Sequence, residues 1–205
     1  MSFYKFCHTL FPLIFKVWLR FEVIGEENIP KTGPVVLAAN HLSLLDPPVL
    51  GAAASRPVHF MAKAELFKPA FFGWIIRKLG VFPVRRGGAD RQAIKTGLSL
   101  LEDNRVVAVF PEGTRSKTGE LGRAGGGAFL MAVRSGAAVV PAYIDGTDLK
   151  RHPGWPKVRV IFGSPLEYDR EEAKTREGME NLGNRWREAV LDLKKAVVAD
   201  ECDRC

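Results

Sequence analysis

A chain of 205 residues, 46 % hydrophobic and 26 % charged, is long enough to bury a core without disulfides or metal and too apolar for intrinsic disorder. Thirty Lys and Arg against 23 Asp and Glu leave a formal charge of +7, which favours acidic partners such as nucleic acid, anionic lipid or phosphorylated metabolites without choosing among them. Three scattered cysteines (Cys7, Cys202, Cys205) make no disulfide framework and point to a reducing, intracellular setting, and no stretch approaches the ~20 apolar residues of a bilayer span.

The first twenty residues stand apart. Phe3, Tyr4, Phe6, Leu10, Phe11, Leu13, Ile14, Phe15, Val17, Trp18 and Leu19 crowd into them, with Pro12 inside and Lys5, Lys16 and Arg20 at intervals. No small-residue cleavage site follows, so a secretory signal is not expected. Aromatic rings on nearly every face, with cations between them, suit a helix or helical hairpin at a membrane interface; a core helix is the alternative.

Beyond this segment short strands and helices alternate. Arg20–Ile24 reads as a strand, followed by Gly- and Pro-rich turns. Val35–Ala39 is a continuous apolar run, the pattern of a strand buried on both faces. A helix is expected over Pro47–Ala54, with Pro in its first turn. Strand Val58–Met61, helix Pro69–Leu79 and strand Val81–Val84 come next. Ala89–Leu101 sets Ala93, Ile94, Gly97, Leu98 and Leu101 on one helical face. Val106–Phe110 is another buried strand, Gly127–Arg134 another helix, and Ala138–Ile144 and Lys157–Phe162 are strands. Asp169-x-x-Glu172 reads as a capping box opening a long charged helix, broken near Gly178 and Gly183. The alternation predicts one α/β domain around a mostly parallel, buried sheet flanked by helices.

Polar residues of chemical character follow the apolar strands, where α/β sheets place their sites. The first cluster is Asn40-His41-Leu42-Ser43-Leu44-Leu45-Asp46-Pro47. Five residues rotate a helix by about 140°, so His41 and Asp46 cannot share a helical face. Pro47 disfavours helical geometry at Asp46, and a turn there would return the carboxylate to the imidazole. One ring nitrogen would then be held and the other left as a general base. A capping Asp beside a carbonyl-bonded His is the plainer alternative. The second cluster is Phe110-Pro111-Glu112-Gly113-Thr114-Arg115-Ser116. Gly113 lets backbone N–H groups approach a ligand, Arg115 offers a planar fork for phosphate, and Glu112 can orient that Arg or accept from a substrate hydroxyl. Lys63 and the pair Arg85-Arg86 follow other strands and can join Arg115 around one anion. Cys202-Asp203-Arg204-Cys205 has no second Cys/His pair and reads as a frayed tail, and no metal site is expected.

Taken in order, Asn40-His41-x4-Asp46, Gly80-Val81-Phe82-Pro83-Val84-Arg85-Arg86, Phe110–Ser116 and Val139-Val140-Pro141-Ala142 resemble the four blocks of the glycerolipid acyltransferases, nearest the bacterial 1-acyl-glycerol-3-phosphate acyltransferase branch. The likeness runs from about Val23 to Leu166. Pro83 departs from the aromatic or aliphatic residue usual in the second block, while Arg86 keeps its basic position. The resemblance implies acyl transfer from acyl-CoA or acyl-carrier protein to the sn-2 hydroxyl of lysophosphatidate, giving phosphatidic acid, with no bound cofactor. It casts His41 as general base and Asp46 as its partner. Lys63, Arg86, Glu112, Gly113, Thr114 and Arg115 would bind the acceptor's phosphate and glycerol, and Ser43 would be a local hydrogen-bonding residue. Positions 1–20 are then the membrane-interface segment, 21–199 the acyltransferase domain and 200–205 a flexible tail. The protein would sit on the cytoplasmic face of the cell membrane, bound to anionic lipid. Other acceptors, glycerol 3-phosphate or a lyso-aminolipid, fit the same residues. A non-catalytic basic module for membrane or nucleic acid is the reading from another class. Nothing resembling a helix-turn-helix, zinc or RNP pattern supports nucleic acid.

Overall fold

The computed structural model describes residues 3–85, 90–125, 127–149 and 157–203. Seven strands form one sheet: β1 (Glu22–Ile24), β2 (Val35–Ala39), β3 (Val58–Lys63), β4 (Val81–Val84), β5 (Val106–Val109), β6 (Ala138–Asp145) and β7 (Arg159–Phe162), in the spatial order β1-β7-β6-β2-β5-β3-β4. Strands β6, β2, β5, β3 and β4 run parallel, whereas β7 turns back antiparallel to β6 and carries β1 parallel to itself. The mostly parallel α/β sheet expected from the apolar runs is therefore present. Pro83 sits on the outermost strand β4, where a missing N–H interrupts no ladder on the open side.

Alternation along β2 divides the core in two. Val35, Leu37 and Ala39 face the helices α1 (Phe3–Trp18) and α2 (Asp46–Ala53), joined by Phe15, Leu19, Val49 and Leu50. Val36 and Ala38 face the opposite layer, with α4 (Arg91–Glu102), α5 (Leu130–Ser135) and α6 (Arg176–Asp203). Between β3 and β4 lies α3 (Ala70–Lys78). The successive rightward crossovers β2→β3 and β3→β4 are right-handed by rule, which puts α3 on the same side as α2.

The N-terminal segment is one helix, kept continuous through Pro12, and its separation from the domain is not observed. Cys7, Phe15 and Leu19 are buried, and His8 Nε2 lies 2.8 Å from the Ala54 carbonyl at the end of α2. Leu13, Ile14, Val17 and Trp18 remain exposed. The inner face of the helix thus packs as a core helix does, while the outer face stays exposed.

Two expectations at the C-terminal end are corrected. Asp169 Oδ1 accepts from the N–H groups of Glu171 and Glu172, but it caps only a 3-10 turn, Glu172–Lys174. The long helix starts afterwards, with the Thr175 hydroxyl accepting from the Gly178 N–H. Gly178 and Gly183 do not break α6. A Cβ on Gly178 would come within 2.2 Å of the Glu172 carbonyl oxygen, so the glycine allows a close crossing instead. Helix α6 continues to Asp203, through most of the positions assigned to a tail; Arg204 and Cys205 lie outside the described residues.

Met179, Leu182, Trp186, Val190 and Val197 form the buried stripe of α6. Trp186 is fully buried, and its indole N–H donates to the Ala38 carbonyl at 2.9 Å, two residues before the Asn40-His41 cluster. Trp186→Phe removes that donor and leaves a buried acceptor unpaired. A loss of about 1–3 kcal/mol is expected, with a fall in Tm of about 2–4 °C per kcal/mol for a chain of this size. Thermal denaturation of the purified variant measures it.

Candidate active site

The site is built where parallel strands end. Just past β2, the Asn40 side chain is buried and behaves as one more ladder residue. Its Nδ2 donates to the Ile144 carbonyl at 2.9 Å and its Oδ1 accepts from the Ile144 N–H at 2.7 Å. These bonds tie the end of β2 to β6 and fix the backbone that launches His41.

The chain turns at Leu44-Leu45, and Asp46 is already the first residue of α2 despite the expectation that Pro47 would keep it out of helical geometry; the turn still brings its carboxylate back to His41. Its carboxylate is fully buried and surrounded by donors. Oδ2 accepts from His41 Nδ1 at 2.7 Å and from the N–H groups of Leu42 at 2.6 Å and Ser43 at 2.7 Å. Oδ1 accepts from the Thr147 hydroxyl at 2.5 Å. A carboxylate with only donors around it stays an acceptor, so His41 Nδ1 must carry the proton. The other ring nitrogen, Nε2, has no partner among the described residues, and the His41 side chain is 14 % exposed. The Phe110 ring stacks on the imidazole with centroids 4.1 Å apart and 19° between planes, holding the ring orientation. Nδ1 is thereby committed to Asp46, and Nε2 is the ring nitrogen left over. Ser43 serves locally, its Oγ accepting from the Leu45 N–H at 3.2 Å.

Thr147 was not among the residues singled out from the sequence. It lies 101 positions from Asp46, past the end of β6 and next to Gly146, which has φ +75° and would drive a Cβ to 2.1 Å from the Lys157 carbonyl oxygen. That glycine turn delivers the hydroxyl. The only sequence signal was its place just after the Pro141 strand.

The second cluster follows β5, and in it Glu112 bonds to two backbone N–H groups. Oε1 accepts from the His41 backbone N–H at 2.9 Å and Oε2 from the Gly122 N–H at 2.9 Å. Both oxygens are thus engaged with the main chain, each keeping a second lone pair. Glu112 joins the loop after β2 to the loop after β5. The Ser116 N–H donates to the His41 carbonyl at 2.8 Å, so both backbone polar groups of His41 are held by the second cluster. Gly125 N–H closes the loop on the Pro111 carbonyl at 2.8 Å.

Gly113, Thr114 and Arg115 are exposed at the tip, and Gly113 has φ +71°, a conformation that favours glycine. Lys63 ends β3, the neighbour of β5, on the same edge of the sheet, and is exposed too. Neither Lys63 nor Arg115 pairs with a described residue. Arg85 follows β4 on that edge, its N–H donating to Asp90 Oδ2 at 2.7 Å. That bond first, and those from Ala93 and Gln92, hold the Asp90 carboxyl below its ordinary value. Arg86 lies outside the described residues.

Thr147→Val is nearly isosteric and strips one donor from a buried carboxylate. It should lower stability by about 1.5–3 kcal/mol, while Thr147→Ser should recover most of the loss; chemical denaturation of the three proteins compares them.

The arrangement has known counterparts. A family model described as "Acyltransferase" matches residues 20–145, a span that takes in both clusters. A 1-acyl-sn-glycerol-3-phosphate acyltransferase of Bacillus subtilis is 34 % identical over 166 residues, covering 80 % of this chain and 82 % of its own. A lyso-ornithine lipid O-acyltransferase of Pseudomonas aeruginosa is 36 % identical over 145 residues, 70 % of this chain and 54 % of its own. Among solved structures, the 1-acyl-sn-glycerophosphate acyltransferase PlsC of Thermotoga maritima superposes with a TM-score of 0.74 at 29 % identity, over 93 % of this chain and 79 % of that one. A matching family model over most of the sheet, and a relative of that similarity spanning most of both chains, place this protein in the acyltransferase family.

Proposed function

We propose that the protein transfers a fatty acyl chain from an acyl thioester, acyl-CoA or acyl-carrier protein, to the sn-2 hydroxyl of 1-acyl-glycerol 3-phosphate, giving phosphatidic acid. The observation that carries this is the outward-facing Nε2 of His41, with Nδ1 locked on a buried carboxylate. An alcohol is a poor nucleophile until its proton leaves. Nε2 takes that proton as the hydroxyl oxygen attacks the thioester carbonyl. The tetrahedral adduct then expels the thiolate, which takes the proton from the imidazolium, and Asp46 stabilises the ring while it is charged. The chain needs no acyl-enzyme and no resident cofactor for these steps.

Arg115 and Lys63, exposed on neighbouring strand ends and without partners among the described residues, are the cations suited to the acceptor phosphate, with Arg86 as the sequence-based third. Gly113 and Thr114 supply the approach at the loop tip. The relatives named for lysophosphatidate favour that acceptor, and the lyso-ornithine lipid relative keeps an aminolipid as the second reading.

The acceptor is a lipid, and no helix among the described residues is long and apolar enough to cross a membrane. The outer face of α1, where Val17 is 70 % exposed beside Leu13, Trp18 and Lys16, is suited to rest at a membrane surface. We place the protein there as a peripheral or monotopic enzyme on the cytoplasmic side, with anionic lipid as its surface partner.

His41→Ala should reduce transfer by ~10²–10⁴ while the fold persists; near-normal turnover would sink the mechanism. Arg115→Ala should raise the acceptor KM about ten- to a hundredfold, the worth of a charge-assisted contact. Arg115→Lys should restore part of this, since an ammonium lacks the fork. Kinetics with one substrate varied at a time decide the assignment, and a defect confined to the donor KM would reassign this loop to the thioester. Leu13→Ser with Val17→Ser should weaken sedimentation with anionic vesicles and spare transfer to a short-chain soluble acceptor.

A further inference from the structure

We propose that the segment Lys63–Lys78 is a second docking surface, which seats on an anionic phospholipid bilayer beside the site. The inference rests on the reading above only in taking the acceptor to be a membrane lipid.

The starting point is an unusual exposure of large apolar groups. Phe71 is 78 % exposed and Phe72 46 %, with Leu66 and Trp74 exposed alongside. Such a cluster of exposed rings marks a surface meant to be covered. The packing explains why these rings point outward. Helix α3 sits against the chain through Gly73, whose Cβ position is only 2.5 Å from the Phe67 carbonyl oxygen. Two steps of about 100° place Phe71 nearly opposite that glycine, and single steps place Phe72 and Trp74 on the flanks. The close approach at Gly73 therefore turns the aromatics away from the protein.

The charges around them choose the occupant. Lys63, Lys68, Arg77 and Lys78 are all exposed, against Glu65 alone among the acids of this stretch. The Arg77 guanidinium lies over the Phe67 ring, 5.2 Å from its centroid, on a side chain that stays exposed. Aromatics ringed by cations match the chemistry of a lipid headgroup layer bearing negative charge.

Position supplies the rest. The chain leaves β3 at the edge that carries His41, passes through a one-turn helix at Ala64–Phe67, and enters α3, so Phe71 and Phe72 occupy the turn nearest that edge. The exposed end of α1 reaches the same edge, because β1 and β7 run opposite to β2, and Leu19 joins β7 through the Val158 N–H. Leu44, at the tip of the His41 loop, is 68 % exposed between them. A bilayer touching α1 and α3 together would meet the mouth of the site.

The test is flotation of the full chain with phosphatidylcholine vesicles, with and without phosphatidylglycerol. Phe71→Ser combined with Phe72→Ser should weaken partitioning at least about tenfold. Lys68→Glu with Lys78→Glu should abolish the preference for phosphatidylglycerol, as should high salt. Both pairs are exposed, and unaltered melting curves would confirm that each variant folds. Transfer to a short-chain, monomeric lysophosphatidate should be unchanged in both. Undiminished flotation of both variants overturns the proposal; undiminished flotation with a raised KM for acyl-carrier protein overturns it in favour of an acidic donor protein. Failure of the unaltered protein to acylate the soluble acceptor would instead overturn the acceptor assignment, leaving flotation to decide docking by itself.

Discussion

The buried carboxylate of Asp46 is the constraint on which the site depends. A charge taken out of water without partners is prohibitively costly, and this one is tolerated because four donors converge on its two oxygens. Those donors come from three parts of the chain: the ring of His41, the backbone of the turn after β2, and a hydroxyl beyond β6. Satisfying the carboxylate therefore requires the turn to be tight and both strands to be in register. The same bonds settle the tautomer of His41, so the chemistry follows from the folding requirement.

Glu112 shows a carboxylate used in a different way. Asp46 holds the ring of His41, whereas Glu112 and Ser116 hold its main chain from the neighbouring strand end. With Asn40 paired to Ile144, Trp186 reaching the Ala38 carbonyl and Phe110 stacked on the imidazole, little freedom remains to the residue. Preorganisation of this kind sets the base at its station before a substrate arrives. The tip beyond Glu112, with Gly113, Thr114 and Arg115, stays exposed while the glutamate and Ser116 brace the base of the loop.

The parts legible in the sequence are those with local causes. Apolar runs such as Val35–Ala39 have no stable place except a strand covered on both faces, and the short His41–Asp46 spacing lets one turn bring the two side chains together, although that turn falls at Leu44-Leu45 and not at the Asp46-Pro47 bond. What depended on long-range partners was not legible. Thr147 is an ordinary residue until Gly146 turns it toward Asp46, and the bonds to Glu112 were hidden because their donors, His41 and Gly122, are backbone groups. Capping by Asp169 was right locally and wrong in extent, since a 3-10 turn took the cap and Thr175 started the helix. Gly178 suggested a break; the missing Cβ instead admits the Glu172 carbonyl. For α1, aromatics all around concealed a division into an inner face that packs on α2 and an outer face that does not.

That division has a consequence for how an enzyme of this size meets a lipid. A helix with Phe15 and Leu19 in the core cannot leave the domain to enter a bilayer without exposing the apolar layer it shares with Val49 and Leu50. Any membrane contact through α1 is therefore made by the whole domain, held at a defined angle, and not by a tethered anchor. A rigid contact fixes the height of His41 above the lipid surface, whereas a flexible anchor would leave it to diffuse. On the proposed function, a fixed height would keep the acceptor hydroxyl within reach of Nε2 without lifting the acyl chain far from the bilayer. Core packing of α1 and catalysis at the sheet edge are then coupled through one geometry.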